Sequence, residues 1–236
     1  MRSSRTRLDR FLRARAGINR RDVRRLLAQG RVTVDGEVAS RINQVINQFS
    51  HVALDNALLQ ANEPLHIMQH KPTGIVSATR DERHKTVIDL LQHPERESLH
   101  IAGRLDFNSS GLLLLTNDGP WSQRLSNPQN RIRKVYRVTV EQPITTDYIA
   151  AFARGMYFAY EGITTRPAEL RIIDDRVAEV ILIEGRYHQI KRMFGKFQNR
   201  VVHLHRCAIG NLALDPALAP GQSRELSALE RDNICH

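Results

Sequence analysis

The chain is poor in cysteine, tryptophan and long apolar runs. Its two cysteines, Cys207 and Cys235, lack CxxC or other metal-type spacing. A disulfide scaffold is therefore not expected, and a reducing, cytoplasmic setting is. No apolar stretch approaches the ~20 residues a helix needs to cross a bilayer; the longest aliphatic stretch of note is Leu112 to Leu115. The basic N-terminus, MRSSRTRLDRFLRARAG, lacks the apolar core of a secretory signal. HEXXH, P-loop and GxSxG motifs are absent, and no repeat of 20–50 residues is visible. Ten histidines are scattered. His66 with His70, and His203 with His205, are not backed by cysteine or paired carboxylates. They read as surface, core or RNA-contacting residues, and no metal is expected.

What is abundant is arginine. The 236 residues carry 35 Lys and Arg against 25 Asp and Glu, a net charge of +10. Residues 1–60 hold 12 Arg, no Lys and 5 acids, so most of the excess sits in a quarter of the chain. Such an excess suits a polyanion, either nucleic acid or an anionic membrane surface. With a quarter of residues charged and two fifths apolar, the chain reads as globular rather than disordered.

Leu8, Phe11 and Leu12 recur at helical spacing, which predicts a helix over about Thr6–Ala16, ended by Gly17. Asn19 is a good N-cap for a second helix, with Asp22 in its first turn. Val23, Leu26 and Leu27 form one face of that helix, and Arg20, Arg21, Arg24 and Arg25 spread over the opposite one. Val32 and Val34 alternate into Asp35-Gly36, a hairpin turn signal, and the chain returns through Glu37 and Val38. An arginine-only face is either a solvated surface or a phosphate-binding plate. The planar guanidinium fork suits the second. LDRFL and NRRDVRRLLAQGRVTVDG resemble the S4 RNA-binding domain over about residues 5–55. That resemblance implies an RNA contact through the second helix and the following turn, with Arg20, Arg21, Arg24, Arg25 and Arg31 as its basic residues.

A linker is expected over residues 56–64, where the pattern breaks before Pro64. Beyond it, strand-like and helix-like stretches alternate. Strands are expected at Leu65–Met68, Ile75–Ser77, Leu99–Ala102, Leu112–Thr116, Val135–Val140, Arg176–Ile183 and Val201–Leu204. One helix is expected from Thr86, carrying Val87, Leu90 and Leu91. Another follows Thr146, carrying Ile149 and Phe152, and a third runs from Gln189 to Phe197. Asn117-Asp118-Gly119 reads as a turn. The mixture predicts an α+β domain with a sizeable sheet.

The loop Gly103–Gly111, GRLDFNSSG, concentrates Arg104, Asp106, Asn108, Ser109 and Ser110 between two apolar stretches. It is either a platform for reactive side chains or a long hairpin loop with Asx turns. AGRLDFNSSGLLLLTNDG resembles the catalytic motif of pseudouridine synthases of the bacterial ribosomal small- and large-subunit type. HKPTG, RKVYRVTV, EGRYHQIKRMF and VVHLHRCAIGNLALDPALAPGQSREL match further motifs of that family, in its order. Before KPTG the family usually has Asn, where this chain has His70.

The resemblance implies an enzyme that isomerises a uridine within RNA without cofactor. It implies a small N-terminal S4-like domain, residues 1–60, and a catalytic domain with a mixed, mainly antiparallel sheet, residues 61–236. Asp106 would act on the sugar, as nucleophile at C1′ or as a base at C2′. Lys191 would stand beside that carboxylate, Tyr136 would pack on the uracil, and Arg104 would fill the gap left by the flipped base. Leu105 should face the core. The Tyr187-His188-Gln189 version of the third motif and the segment DGPWSQRLSNP resemble the small-subunit branch. The expected partner is therefore 16S rRNA or a small-subunit assembly intermediate, with uridine 516 as target, acted on by a monomer away from membranes. Three alternatives stand beside this reading: a 23S rRNA synthase, a non-catalytic S4-type assembly or RNA-binding protein, and hydrolytic base removal.

Overall fold

A computed structural model describes residues 5–235. They form two compact units that divide between Pro64 and Leu65.

In the first unit, β1 (Thr6–Arg7) leads into α1 (Leu8–Ala16), and α2 (Arg20–Ala28) follows. Gly17 takes a left-handed φ of 67° and closes α1, as its lack of a Cβ permits. The Asn19 side chain accepts from the Asp22 N–H at 3.0 Å and opens α2. The short strands β2 (Val32–Val34), β3 (Glu37–Val38), β4 (Val45–Ile46), β5 (Val52–Leu54) and β6 (Ala57–Gln60) complete the unit. One sheet has the order β3-β2-β5-β6, and β1 pairs with β4. Leu8, Leu12, Val23, Leu26, Leu27 and Val32 share one core. The expected linker therefore begins too early: Ala57–Gln60 is an edge strand. Ala57 and Leu58 are exposed there, which removes the alternation that marks a strand in sequence.

The second unit is built on one sheet. Its strands are β7 (His66–Lys71), β8 (His100–Ile101), β9 (Ser110–Thr116), β10 (Lys134–Val140), β11 (Tyr157–Phe158), β12 (Ile163–Thr164), β13 (Glu169–Asp174), β14 (Val177–Leu182), β15 (Val201–Ile209), β16 (Leu212–Ala213) and β17 (Ser223–Glu225). Its helices are α3 (Gly119–Ser126), α4 (Thr146–Arg154), α5 (Gln189–Gly195) and α6 (Ala228–Asn233). The sheet runs β13-β14-β10-β15-β9-β7-β17, with β8 and β16 pairing off that path, while β11 and β12 pair separately. Only β15 and β9 are parallel among the described pairs of the sheet, meeting at His205–Ser110 and Arg206–Gly111. Alternation sends Leu113 and Leu115 to one core with α4 and α5, and Leu112 and Leu114 to another with Trp121 and Ile234.

Several local expectations are corrected. Ile75–Ser77 is not a strand; Val76 makes one isolated bridge to Thr86. Thr86 opens no helix. Its N–H and hydroxyl both donate to Asp89, closing a turn in which Val87, Ile88 and Leu91 are buried. Pro94 soon follows and disfavours helical backbone at His93. Asn117-Asp118-Gly119 is not merely a turn: Asp118 accepts from the Trp121 N–H at 3.1 Å and starts α3. In α4 the N-cap is Thr145, and Tyr148 rather than Ile149 turns inward with Phe152. β15 extends five residues beyond Leu204.

Candidate active site

The loop joining β8 to β9 carries Arg104 and Asp106. Three devices fix its backbone. Leu105 is buried, and its N–H and C=O both bond to the Ser77 hydroxyl, at 3.1 and 2.7 Å. Lys71, fully buried at the end of β7, sends its ammonium to the carbonyls of Asp106 at 3.1 Å, Ser109 at 2.8 Å and Pro72 at 2.9 Å. Burial pushes the Lys71 ammonium down to about 8, against the opposing pull of the Asp106 charge. Arg206, buried on β15, donates to the carbonyls of Gly103 at 2.9 Å and Leu112 at 2.8 Å, one at each end of the loop. Gly111 makes this possible. A Cβ there would stand 2.3 Å from the Arg206 carbonyl oxygen, at a φ of +111°.

With its backbone so clamped, the loop holds the Asp106 carboxylate at the mouth of a cavity of about 590 Å³. Oδ2 lies 3.1 Å from Lys191 Nζ and 3.5 Å from His188 Nε2, both from the third motif. Buried Glu184 organises that segment, accepting from Gln189 Nε2 at 2.9 Å, Arg186 Nε at 3.1 Å and the Arg166 N–H at 2.9 Å. Tyr136, on β10 and 8% exposed, lines the same cavity, as do Arg104, Leu182 and Leu204. A carboxylate with a cationic neighbour, an aromatic wall and apolar sides is equipped to bind a planar base and act on the sugar attached to it.

The structure thus brings Asp106, Arg104 and Tyr136 to one cavity. It sets Lys191 against Asp106 but on the side of an adjoining groove, with Asn108, Arg200 and His203. Lys71, Arg206, His188 and Glu184 belong to the site and carried no assigned role in the sequence reading, although each lies in a quoted motif. His70 stands outside it: its Nδ1 is 2.8 Å from the Leu218 carbonyl oxygen and its ring meets His205 edge-on. His66 packs edge-on against Trp121. In the first unit, Arg20, Arg21, Arg24 and Arg25 are exposed on α2. Arg20 is 3.8 Å from Asp9 and Arg25 is 3.2 Å from Asp22, whereas Arg21 and Arg24 have no ion-pair partner among the described residues. Arg31 is held by Asp55, Nε donating to Oδ1 at 2.6 Å.

Residues 66–196 match the RNA pseudouridylate synthase family, and residues 6–48 match the S4 domain. The chain belongs to the RNA pseudouridylate synthase family and is a pseudouridine synthase with an N-terminal S4 domain. More particularly, it is 51% identical over 225 residues to the ribosomal small subunit pseudouridine synthase A of Pseudomonas aeruginosa, covering 95% of this chain and 98% of that one. The protein of the same name from Escherichia coli K12 is 41% identical, over 95% and 97%. A solved pseudouridylate synthase structure is 36% identical with a TM-score of 0.71, covering 97% of this chain and 99% of that chain. No helix among the described residues is long and apolar enough to cross a membrane.

Proposed function

We propose that this enzyme converts a uridine of 16S rRNA to pseudouridine in the cytoplasm, on the rRNA or on a small-subunit assembly intermediate, with Asp106 as the group that acts on the sugar. The Asp106–Lys191 contact at the mouth of the Tyr136-lined cavity carries this reading. Isomerisation breaks N1–C1′, turns the uracil and joins C5 to C1′. Substrate and product have the same atoms and oxidation level, so the reaction consumes no co-substrate, and no cofactor is invoked. The target base leaves the RNA stack to enter the cavity. Exposed Arg104, at the rim, takes the space it leaves, and Tyr136 packs on the uracil. The arginine face of α2 docks rRNA phosphates. The small-subunit relatives support 16S rRNA as substrate, and uridine 516 is the proposed position.

The test is tritium release from 16S rRNA labelled at uridine C5, with the parent chain and Asp106→Asn. The parent should release tritium and folded D106N should not. Turnover by D106N at the parent's rate would refute the assignment. Chemical mapping of pseudouridine in rRNA from cells with and without the gene identifies the position. Loss of a 23S rRNA pseudouridine instead would move the substrate to the large subunit.

A further inference from the structure

Lys134 opens β10, two residues before Tyr136 and on the same face, and it lines the cavity that holds Asp106. It is 9% exposed. Its ammonium donates to the Ile132 carbonyl at 3.1 Å and, at 3.5 Å, to the Leu125 carbonyl in the last turn of α3. It has no carboxylate partner among the described residues. Burial and the nearby Arg206 guanidinium push it down to about 8. The charged lining of the cavity is lopsided: Arg104, Lys134, Arg186 and Arg206 against Asp106 alone.

A buried ammonium without a counter-charge is costly, and an apolar side chain of similar shape would be cheaper to bury. Capping α3 through one long hydrogen bond is a weak return for that cost. The chemistry supplies a stronger one. When N1–C1′ breaks, its electron pair leaves with the base. The product is a uracil anion whose charge spreads over N1, O2 and O4. Deep in the cavity, beside buried Tyr136 and Leu182, little water is at hand to stabilise that charge, so a fixed cation is favoured.

We propose that Lys134 donates to a carbonyl oxygen of the target uracil and supplies the counter-charge for the uracil anion during its turn. This rests on the reading of the cavity as the seat of the flipped uridine. Lys134 keeps its proton throughout. C5 bonds to C1′, the C5 hydrogen leaves as a proton, and N1 takes one up, so the product is an isomer of the substrate.

The experiment compares full-length parent, Lys134→Met, Lys134→Gln and Lys134→Arg on 16S rRNA. It measures the single-turnover rate of tritium release, RNA affinity and the thermal midpoint. K134M should melt at or above the parent, bind RNA within threefold of it, and react at least 30-fold more slowly. K134R, which keeps the charge, should retain more rate than K134Q. A folded K134M that reacts within threefold of the parent overturns the proposal. A lowered midpoint with rate intact below it would assign Lys134 to capping α3, and overturns it equally. If K134M does not fold, K134Q is judged by the same limits. Failure of the parent itself to release tritium would refute the isomerase reading, and this proposal with it.

Discussion

Two buried lysines, Lys71 and Lys134, lie near the loop that carries Asp106, and their partners separate their roles. Lys71 satisfies carbonyls of Pro72, Asp106 and Ser109 at 2.8–3.1 Å. Lys134 has one comparable bond. Replacing Lys71 with Met strands several buried carbonyls, at about 1–3 kcal/mol for each one left unsatisfied. Lys71→Met should therefore lower the urea midpoint clearly and release the loop, whereas Lys134→Met should not lower it. Equal midpoints for the two variants would refute this division. Lys191 differs again, being partly exposed and paired directly with the Asp106 carboxylate. Lys191→Met should leave the urea midpoint near the parent's and cut single-turnover tritium release by at least tenfold.

Among the elements, the junction of β9 and β15 leaves no room for a side chain at Gly111. Gly111→Ala would drive a Cβ into the Arg206 backbone at a left-handed φ, so a loss on the order of 3 kcal/mol is expected in urea unfolding. The helix α2 makes a different prediction. Changing Arg20, Arg21, Arg24 and Arg25 to Ser should weaken rRNA binding and flatten its dependence on KCl, because fewer counterions are released. An unchanged slope would show that the face is only solvated. Elements with strong local signals were legible in sequence. Asn19 with Val23, Leu26 and Leu27 specifies α2 within ten residues, and GRLD identifies its own loop. The clamp was not legible, because Lys71 and Arg206 reach carbonyls 35 and 103 residues away. Nor was the start of α3, since the Asp118-Gly119 pair that suits a turn equally suits a helix N-cap.

For the whole molecule, the buried lysines set a pH dependence. Each has a folded value near 8 against an ordinary 10.5. Between those limits the unfolded chain binds more protons than the folded one, so stability should rise with pH from about 8 to 10.5. The upper limit is roughly 1.4 kcal/mol per pH unit for each lysine. Below pH 8 both states hold the proton and this contribution is flat. Lys134→Met should show a shallower rise in urea midpoint over that range; an identical rise would place the effect elsewhere.

The parallel contact between β9 and β15 also orders events in time. The chain emerges from its N-terminus, so Asp106 is synthesised 100 residues before the arginine that clamps its loop, counting from 106 to 206. The strand bearing that arginine lies inside the sheet, between β10 and β9. A nascent or prematurely terminated chain can therefore carry Asp106 while lacking the strand whose arginine clamps the Asp106 loop. Competence arrives at one late point in synthesis, and truncated products ending before Arg206 are expected to leave rRNA unmodified.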